Sequence, residues 1–547
     1  MDAQPDGAGL VEGTHALERA DWEGARCAFG SVLEAGESAE ACEGLGQALW
    51  FLGSVGEGIA ARERAFAAYV REGRCDDAAR IAVWVSHQYL ISGRASAARG
   101  WLARAERALE RVANCAGHGW VAVERARHAS NAEEQTAHAR RAMQIARDAG
   151  ADDLEVFALS VLGRAEVSAG RPREGMLLLE EAMAAAAVGR VRNVHTLAEA
   201  YCNLIMACTD AGEWERATEW CGLVDEFAQT HETAPLFGAC RTVHADVLLA
   251  TGRWPEAERA LQSALLTHAR YVPQMGAPTV ATLAELRIRQ GRLPEAEQLL
   301  AGREEHPASL RALALLRIAE NRPGVAIALL RRGLRATEGH VIRATQLLAP
   351  LVDASLACGD LASARAACEE LTLHAQTSGM RLVAARADLA GARVALAEGC
   401  EADAAESARR ALTAFSALAM PLDAGEARLE IARAVAHVTP EVAADEARTA
   451  LAIFRELGAS RAMDAAAGRL RDLGTTAGGR PRASGELTGR EQEVLGLIAL
   501  GMSNARIGQT LVISEKTAGH HVSHILTKLG VRNRAEAAAH AARAEEH

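Results

Sequence analysis

The fold of this chain is set by a short motif, Gly252-Arg-Trp-Pro-Glu-Ala257, which is one copy of a pattern that recurs along most of the sequence. A turn residue, usually glycine, is followed five positions later by a small residue, and an apolar run with helical spacing comes next. Two further clear copies are Gly212-Glu-Trp-Glu-Arg-Ala217 and Gly291-Arg-Leu-Pro-Glu-Ala296. The recurring pairs of turn residue and small residue are Gly53/Gly58, Gly93/Ala98, Gly170/Gly175, Gly212/Ala217, Gly252/Ala257, Gly291/Ala296, Gly359/Ala364 and Gly399/Ala404. The chain is therefore dominated by repeats.

Each copy predicts a helical hairpin, in which the turn reverses the chain and the small residue lets the two helices approach closely. Proline is tolerated in the first turn of a helix, which suits Pro255 and Pro294. One hairpin cannot bury its apolar face, whereas stacked neighbours can, so about ten to twelve hairpins should form a solenoid with a concave side. The pattern resembles tetratricopeptide repeats, although its period is nearer 40 than about 34 residues.

Composition supports an all-α fold, because aromatic residues make up only 4% of the chain and period-two alternation is scarce. Weaker copies of the motif occur at Asp21 to Ala25, near Asn131, at Asn321 to Ala326 and at Thr439 to Ala444. We expect repeats over 1–473, with one shortened helix and a bend or division near 301–312. Residues 474–486 are predicted to form a flexible linker, and residues 487–547 a separate small domain.

The C-terminal segment carries four helix-start signals within about sixty residues, at Thr488, Ser503, Ser514 and Asn533. Apolar residues follow three of these signals at helical spacing: Val494, Leu495 and Ile498; Ile507 and Leu511; Ala518, Val522, Ile525 and Leu529. The signal at Asn533 precedes an alanine-rich fourth helix. Two short helices joined by a tight turn, the second of them polar, are typical of a helix-turn-helix unit.

This segment resembles the LuxR-type (GerE-like) helix-turn-helix domain. The matching residues are Leu487, Thr488, Arg490, Glu491, Glu493, Val494, Leu495, Gly501, Ser503, Asn504, Ile507, Leu511, Ile513, Ser514, Thr517, His521, Ile525, Lys528, Leu529, Val531 and Arg534. The sequence departs from the family where Ala518-Gly519 replaces the usual Val-Lys and where Gly508 replaces alanine. The resemblance implies a bacterial regulator whose domain binds double-stranded promoter DNA as a homodimer, on inverted half-sites.

On this resemblance, Gly519, His520 and Ser523 occupy positions that face base edges, and His524 is a further candidate. Lys516, Thr517 and Lys528 are placed for phosphate contacts. Lys516 and Lys528 are the only lysines among 60 basic residues, and both belong to the recognition helix. The alternative is that these residues are merely the solvated face of a small helical domain.

The fourth helix presents Ala535, Ala538, Ala539 and Ala542, a face of small residues that resembles the dimer contact of the family. Ordinary packing against the first helix of the domain is the alternative interpretation.

In the repeats, a candidate groove for a ligand or protein partner is formed by a set of polar and aromatic residues: Trp84, His87, Tyr89, Trp101, Arg241 and His244. A packed core is the alternative. Trp22, Trp214 and Trp254 stand at the same position of the repeat, just after the turn, and should be structural wedges between hairpins.

Several classes of protein are not predicted. No Gly-Lys pair occurs, so the chain lacks the phosphate-binding loop of the ATPase module found in large LuxR-type regulators, and no enzyme motif is present. The eleven cysteines lie between Cys27 and Cys400 without a C-x-x-C pair, which favours buried thiols over zinc. No metal, cofactor or membrane contact is predicted, and the expected location is cytoplasmic.

The formal net charge is −11 overall, but the residues from Arg480 onward carry more Lys and Arg than Asp and Glu. An acidic body cannot hold nucleic acid by itself, so the tail must do so. We expect a transcription regulator whose repeats sense a ligand or protein partner. The alternative is an interaction scaffold whose helix-turn-helix contacts RNA polymerase or another protein.

Overall fold

The structure is a computed structural model that describes residues 7–129, 131–187, 189, 191–231, 234–337, 339–474, 489–511, 513–529, 531 and 533–544. These residues form 29 α-helices and two short 3-10 helices, and none of them lies in a strand. Among them, no helix combines the length and the apolar composition that crossing a bilayer requires.

The chain divides into two compact units. The first comprises residues 1–288 with 292–383, and the second comprises residues 384–547 with 289–291. The α-helices that begin in the first unit are α1 Gly7–Glu18, α2 Trp22–Ala35, α3 Ala39–Phe51, α4 Val55–Arg71, α5 Cys75–Ile91, α6 Ala95–Leu109, α7 Ala116–His128, α8 Ala132–Ala149, α9 Asp152–Ser168, α10 Pro172–Ala187, α11 Val194–Ala211, α12 Trp214–His231, α13 Ala234–Ala250, α14 Trp254–Tyr271, α15 Gly276–Arg289, α16 Leu293–Leu300, α17 Leu310–Ala319, α18 Pro323–Arg335, α19 Val341–Ala357, α20 Leu361–Ser378 and α21 Arg381–Ala397.

The α-helices of the second unit are α22 Glu401–Ala417, α23 Pro421–Ala434, α24 Pro440–Leu457, α25 Ser460–Asp472, α26 Gly489–Ala499, α27 Asn504–Leu511, α28 Glu515–Leu529 and α29 Arg534–Ala544. In chain order, the described residues up to 474 give twelve helix pairs followed by α25. The fold is therefore the all-α, tetratricopeptide-like solenoid that the repeats predict, followed by a small four-helix domain.

The turn of each strong repeat has a backbone conformation that favours glycine. Gly252 lies between α13 and α14 with a φ of +83°, a left-handed conformation that costs a residue with a Cβ about 1–2 kcal/mol. The small residue five positions later, Ala257, is fully buried. The remaining turn glycines, Gly53, Gly93, Gly170, Gly212, Gly291, Gly359 and Gly399, also have positive φ. In two weaker copies, Ala20 and Asn321 adopt this conformation instead.

The small residue sits where the two helices of a pair cross. In the pair α9 and α10 both crossing residues are glycine, and a Cβ built on Gly163 would lie 2.7 Å from the carbonyl oxygen of Gly175. That separation is too short for any side chain. Most other pairs use alanine at this position, with Ala98, Ala217, Ala257, Ala296, Ala364 and Ala404 all fully buried. Close helix approach is thus built into each repeat.

The tryptophans that follow the turns are buried, as expected for wedges. Trp254 is 1% exposed, and its indole N–H donates to the carbonyl oxygen of Leu249 in the preceding helix at 3.1 Å. Trp22 stacks on Phe51 of the next pair, with ring centroids 4.1 Å apart. Trp214 is also buried. These indoles fill the space between consecutive helices at the turn.

The irregular stretch near 301–312 follows a short helix. The helix α16 has only eight residues, and a 3-10 turn at Pro307–Ser309 precedes α17. A second 3-10 turn, Pro273–Met275, follows α14. The boundaries predicted at 473 and 487 remain predictions, because residues 475–488 lie outside the described part of the chain.

The first helices of the pairs form the inner layer of the first unit. Each of α5, α7, α9 and α11 contacts the next, and inner helices far apart in the chain also meet: α3 contacts α13, and α9 contacts α19. At the second of these contacts the Ser168 hydroxyl lies 3.2 Å from Nδ1 of His340, with both residues buried. The inner side of this unit therefore packs against itself at these two places.

The turn geometry predicts opposite effects for two glycine substitutions in the first unit. Gly359 has a φ of +73° and no atom near a built Cβ, so Gly359→Ala should lower the free energy of unfolding by about 1–2 kcal/mol through backbone strain alone. Gly100, inside α6 and also without a close neighbour, is the matched control. Gly100→Ala should raise the free energy of unfolding by about 0.4–1 kcal/mol. Urea unfolding followed by circular dichroism measures both, and a stabilising Gly359→Ala would show that the turn does not require glycine.

Candidate nucleic-acid interface

The helices α26 to α29 share one small apolar core. It contains the residues that the sequence predicts, Val494, Leu495, Ile498, Ile507, Ala518, Val522 and Ile525, together with Ala537 and Ala541 of α29. Leu511 and Leu529 are partly buried against it. The apolar side chains of each helix therefore face the same centre. This shared packing holds α27 and α28 together as a helix-turn-helix pair.

Side-chain caps set the start of three helices in this domain. The hydroxyl of Ser503 accepts a hydrogen bond from the backbone N–H of Arg506 at 3.3 Å, and Ser514 accepts one from Thr517 at 3.0 Å. Asn533 accepts from the N–H of Glu536 at 3.0 Å, which opens α29. These are the caps that the sequence predicts. The capping signal at Thr488 lies outside the described residues.

One face of α28 is open to solvent. His520, Ser523 and His524 are exposed, whereas Gly519 and Thr517 are half-buried. The Ser523 hydroxyl donates to the carbonyl oxygen of Gly519 at 3.0 Å. The side chains of Lys516 and Lys528 lie outside those that the structure describes. Three residues predicted to contact DNA thus share one accessible helical face.

The alanines of α29 are divided between two environments. Ala537 and Ala541 are buried in the domain core, and Ala538 is partly buried against it. Ala535 is exposed, and the side chains of Ala539 and Ala542 lie outside the described ones. One face of α29 therefore packs within the domain, as the alternative interpretation requires, and Ala535 remains accessible to a partner.

The two departures from the family pattern have different surroundings. A Cβ on Gly508 would lie 2.7 Å from the carbonyl oxygen of Ile513, in the turn between α27 and α28. The amide of Ile513 already donates to the Gly508 carbonyl at 2.9 Å, which holds the turn against the helix. A Cβ on Gly519 would meet only the side-chain amide of Asn504, at an ordinary 3.5 Å. The helix-turn-helix thus needs glycine at 508 but not at 519.

A second group of functional side chains lies on the inner layer of the first unit. We call it the inner cluster: Trp84 and His87 of α5, Arg127 of α7, and His195 and Glu199 of α11. His195 stacks on Trp84 with centroids 4.2 Å apart, and Nε2 of His87 lies 3.2 Å from Oε1 of Glu199. Arg127 donates to the other carboxylate oxygen, Oε2, at 2.8 Å. Phe157 of α9 stacks on Trp84 and lies under the Arg127 guanidinium.

Burial governs the protonation of this cluster. It lowers the pKa of His195 well below its ordinary value, because an imidazolium would lose its hydration there. Burial alone would raise the pKa of Glu199, but the charge of Arg127 and the hydrogen bond from His87 outweigh it and hold that pKa far below its usual range. The cluster therefore holds a carboxylate beside a neutral imidazole.

The structure brings together two of the six predicted groove residues, Trp84 and His87. The other four have separate contacts. The Tyr89 hydroxyl donates to Glu63 at 2.9 Å, and Trp101 packs edge-on against Phe66 at 5.2 Å. Arg241 donates to the Ser263 hydroxyl at 3.0 Å, and His244 is half-buried on the same helix.

Sequence reasoning missed His195 and Glu199. Their spacing of four places them on one face of α11, and this was the available signal. The two histidines of the cluster lie far apart in the chain, so no local pattern joins them.

Comparison with known families supports the assignment of the C-terminal domain. Residues 485–541 match the family described as bacterial regulatory proteins, luxR family (GerE). Relatives include the transcriptional regulatory protein DegU of Brevibacillus brevis, 55% identical over 51 residues, which are 9% of this chain and 22% of DegU. LiaR of Bacillus subtilis is 46% identical over 71 residues, covering 12% of this chain and 34% of LiaR. The nitrate/nitrite response regulator protein NarL of Escherichia coli is 45% identical over 53 residues, 10% of this chain and 24% of NarL.

The chain thus spans between about a fifth and a third of the length of these relatives. Two solved structures are similar to this chain at low identity. A chain of the APC/C hetero-tetramer Cut9-Hcn1 aligns over 83% of this chain and 95% of its own, with a TM-score of 0.46 and 12% identity. Yeast Tom70 aligns over 80% of this chain and 98% of its own, with a TM-score of 0.35 and 10% identity.

The crowding at Gly508 predicts that Gly508→Ala destabilises the C-terminal domain by about 1–3 kcal/mol, because the turn must move to admit a methyl group. Gly496, on the exposed side of α26 with no atom near a built Cβ, is the matched control. Gly496→Ala should stabilise the domain by up to about 1 kcal/mol. Hydrogen-exchange mass spectrometry of peptides within 489–544 reads the domain separately from the repeats. Slower exchange in Gly508→Ala than in the unsubstituted chain would mean that the turn has room for a side chain.

Proposed function

We propose that this chain, which carries a LuxR-family helix-turn-helix domain at residues 485–541, regulates transcription by binding promoter DNA through α28. The observation that carries the proposal is the accessible face of α28, on which His520, Ser523 and His524 point to solvent while Val522 and Ile525 anchor the helix in the core. A helix presented in this way can enter the major groove without unfolding the domain.

Two kinds of contact are assigned to this face. His520 and Ser523 are placed to reach base edges, with Gly519 allowing close approach of the helix backbone. Lys516, Thr517 and Lys528 are assigned to phosphates by the family pattern. His524 lies one helical turn beyond His520 and extends the same face.

Charge supports the location of DNA binding. The chain as a whole has a formal net charge of −11, so the repeats repel a duplex, whereas the segment from Arg480 onward is weakly basic. Association therefore depends on a few cationic contacts, and the affinity should respond strongly to each one.

The functional unit is proposed to be a homodimer on inverted half-sites about one helical turn apart. The exposed Ala535, with Ala539 and Ala542 of the same helix, is the proposed contact. The helical repeats are proposed to sense a ligand or a protein partner and to control pairing of the DNA-binding domains.

The alternative is an interaction scaffold whose helix-turn-helix contacts RNA polymerase or another protein. Gly519 favours it, because the lysine usual in the family at this position would supply a DNA contact that the chain lacks.

Selection of bound fragments from the genome of the host distinguishes the two functions. The full chain should enrich a short inverted repeat, and added cell extract should change the enrichment if the repeats sense an effector. Absence of any common sequence, with and without extract, would favour the scaffold. A variant with His520→Ala and Ser523→Ala is the control, since it should lose sequence preference while keeping binding to arbitrary duplex.

The salt dependence of duplex binding tests the cationic contacts directly. Gly519→Lys is tolerated sterically and should add one positive charge next to the duplex, which steepens the slope of log K against log salt by about 0.9. Gly519→Gln, of similar length but neutral, should leave the slope unchanged. Lys516→Ala should flatten the slope by about 1, whereas Lys516→Arg should preserve it. Gel-shift titrations at several salt concentrations measure these slopes, and identical slopes for all variants would remove α28 from the phosphate contacts.

A further inference from the structure

The inner cluster contains three metal-ligand side chains in contact range. The ligand atoms of His87, His195 and Glu199 all lie within 4.8 Å of one another. Oε1 of Glu199 is 3.2 Å from Nε2 of His87 and 3.9 Å from Nε2 of His195. Both histidines are buried and Glu199 is half-buried. Two imidazoles and one carboxylate thus converge on a single point.

Several ring nitrogens of these histidines have no hydrogen-bond partner within the protein. His195 is 1% exposed, and neither of its ring nitrogens has a hydrogen-bond partner. Nδ1 of the buried His87 also lacks one. Because a buried polar atom without a partner costs about 1–3 kcal/mol, an imidazole in this position calls for a ligand.

We propose that His87, His195 and Glu199 bind one divalent first-row transition ion, of which zinc is the best match. Zinc takes imidazole nitrogen and carboxylate oxygen at about 2.0–2.2 Å, so its tetrahedral ligands stand about 3.3 Å apart. The closest pair already has this spacing, and small rotations of His195 would bring in the third ligand. Water completes the fourth position. Two nitrogen ligands disfavour calcium and magnesium, which prefer oxygen.

The surroundings prepare the carboxylate for this role. Arg127 holds Oε2 of Glu199 at 2.8 Å and leaves Oε1 directed at the two imidazoles. This is the orienting contact that metal ligands commonly receive from a second layer of residues.

The balance of charge around the site is close to neutral. Arg127 and the buried Arg62 are opposed by Glu199 and by Glu124, which lies fully buried 3.6 Å from Arg127. Burial lowers the pKa of Arg62 to about 10, so its guanidinium stays largely charged at neutral pH. A divalent ion here is neutralised by Glu199 and Glu124, while the two arginines weaken its binding.

Bound metal would join α5 to α11 across the inner layer of the first unit. The sequence alone predicted no metal, because the three ligands include no cysteine pair and come from two helices far apart in the chain. This site belongs to the helical repeats and does not depend on DNA binding by α28.

Zinc titration of the full chain tests the proposal. The protein is purified without a histidine tag, stripped with EDTA, and titrated with Zn²⁺ in competition with a chromophoric chelator. One ion per chain should bind. His87→Gln and Glu199→Gln, which preserve size, should each weaken binding by at least about 100-fold. His268→Gln is the matched control, because His268 is equally buried, with an unpartnered ring nitrogen, but has no carboxylate among the groups that shift its pKa.

Cobalt substitution distinguishes this site from the cysteines. The Sγ atoms of Cys202 and Cys240 lie 2.7 Å apart, so a thiol site is the main competitor. Co²⁺ bound to the inner cluster should show ligand-field absorption without a thiolate charge-transfer band. A thiolate band, a failure of the unsubstituted chain to bind one ion, or equal loss in His268→Gln would each overturn the proposal. The thiolate band and ion binding are both measured on the unsubstituted protein, so they test the proposal even if a variant fails to fold.

Discussion

The close approach of two helices at a small residue is the constraint that governs the repeats. Gly163 and Gly175 bring α9 and α10 so near that no Cβ would fit, and the fully buried alanines play the same part in most other pairs. A larger residue at such a crossing would push the helices apart and open gaps along the whole pair, because protein interiors are packed to crystal-like density. The turn glycines matter for the same reason, since they set the angle at which the second helix returns to the first.

This packing has a consequence for the inner layer of the first unit. The helices α3 and α13, and likewise α9 and α19, come into contact although they are far apart in the chain. Polar residues on inner helices are thereby carried into a buried environment, where an unpaired charge is expensive. Arg127 meets that cost by pairing with both Glu199 and Glu124, and it lies over the ring of Phe157, which stacks on Trp84. A region that would be a solvated groove in a more open solenoid is here a packed core with a polar centre.

The C-terminal domain meets a different constraint, since about sixty residues can bury only a small core. Nine fully or nearly buried residues from four helices make up that core, and most of them are short aliphatic side chains. The conformation of the domain therefore also depends on helix caps at Ser503, Ser514 and Asn533 and on the tight turn at Gly508. Because one side of α28 packs in the core, only its opposite face is available to contact an external partner.

Sequence was enough to predict the features that arise within one helix or one turn: the hairpin repeat with its turn residue, the caps, and the buried stripe of α28 from Ala518 to Ile525. Each depends on residues within a few positions of each other, so their spacing reveals them. Which polar residues of the repeats meet was settled only by the packing of the helices. His87 and Glu199 are separated by 112 residues, and they lie together only because the successive contacts of α5 with α7, α7 with α9 and α9 with α11 bring α11 back to α5. The same holds for Gly508, whose lack of room for a methyl group follows from the course of the turn after α27. Local spacing specifies helices, whereas the convergence of distant side chains follows from the sum of many small crossing angles, which no single stretch of sequence encodes.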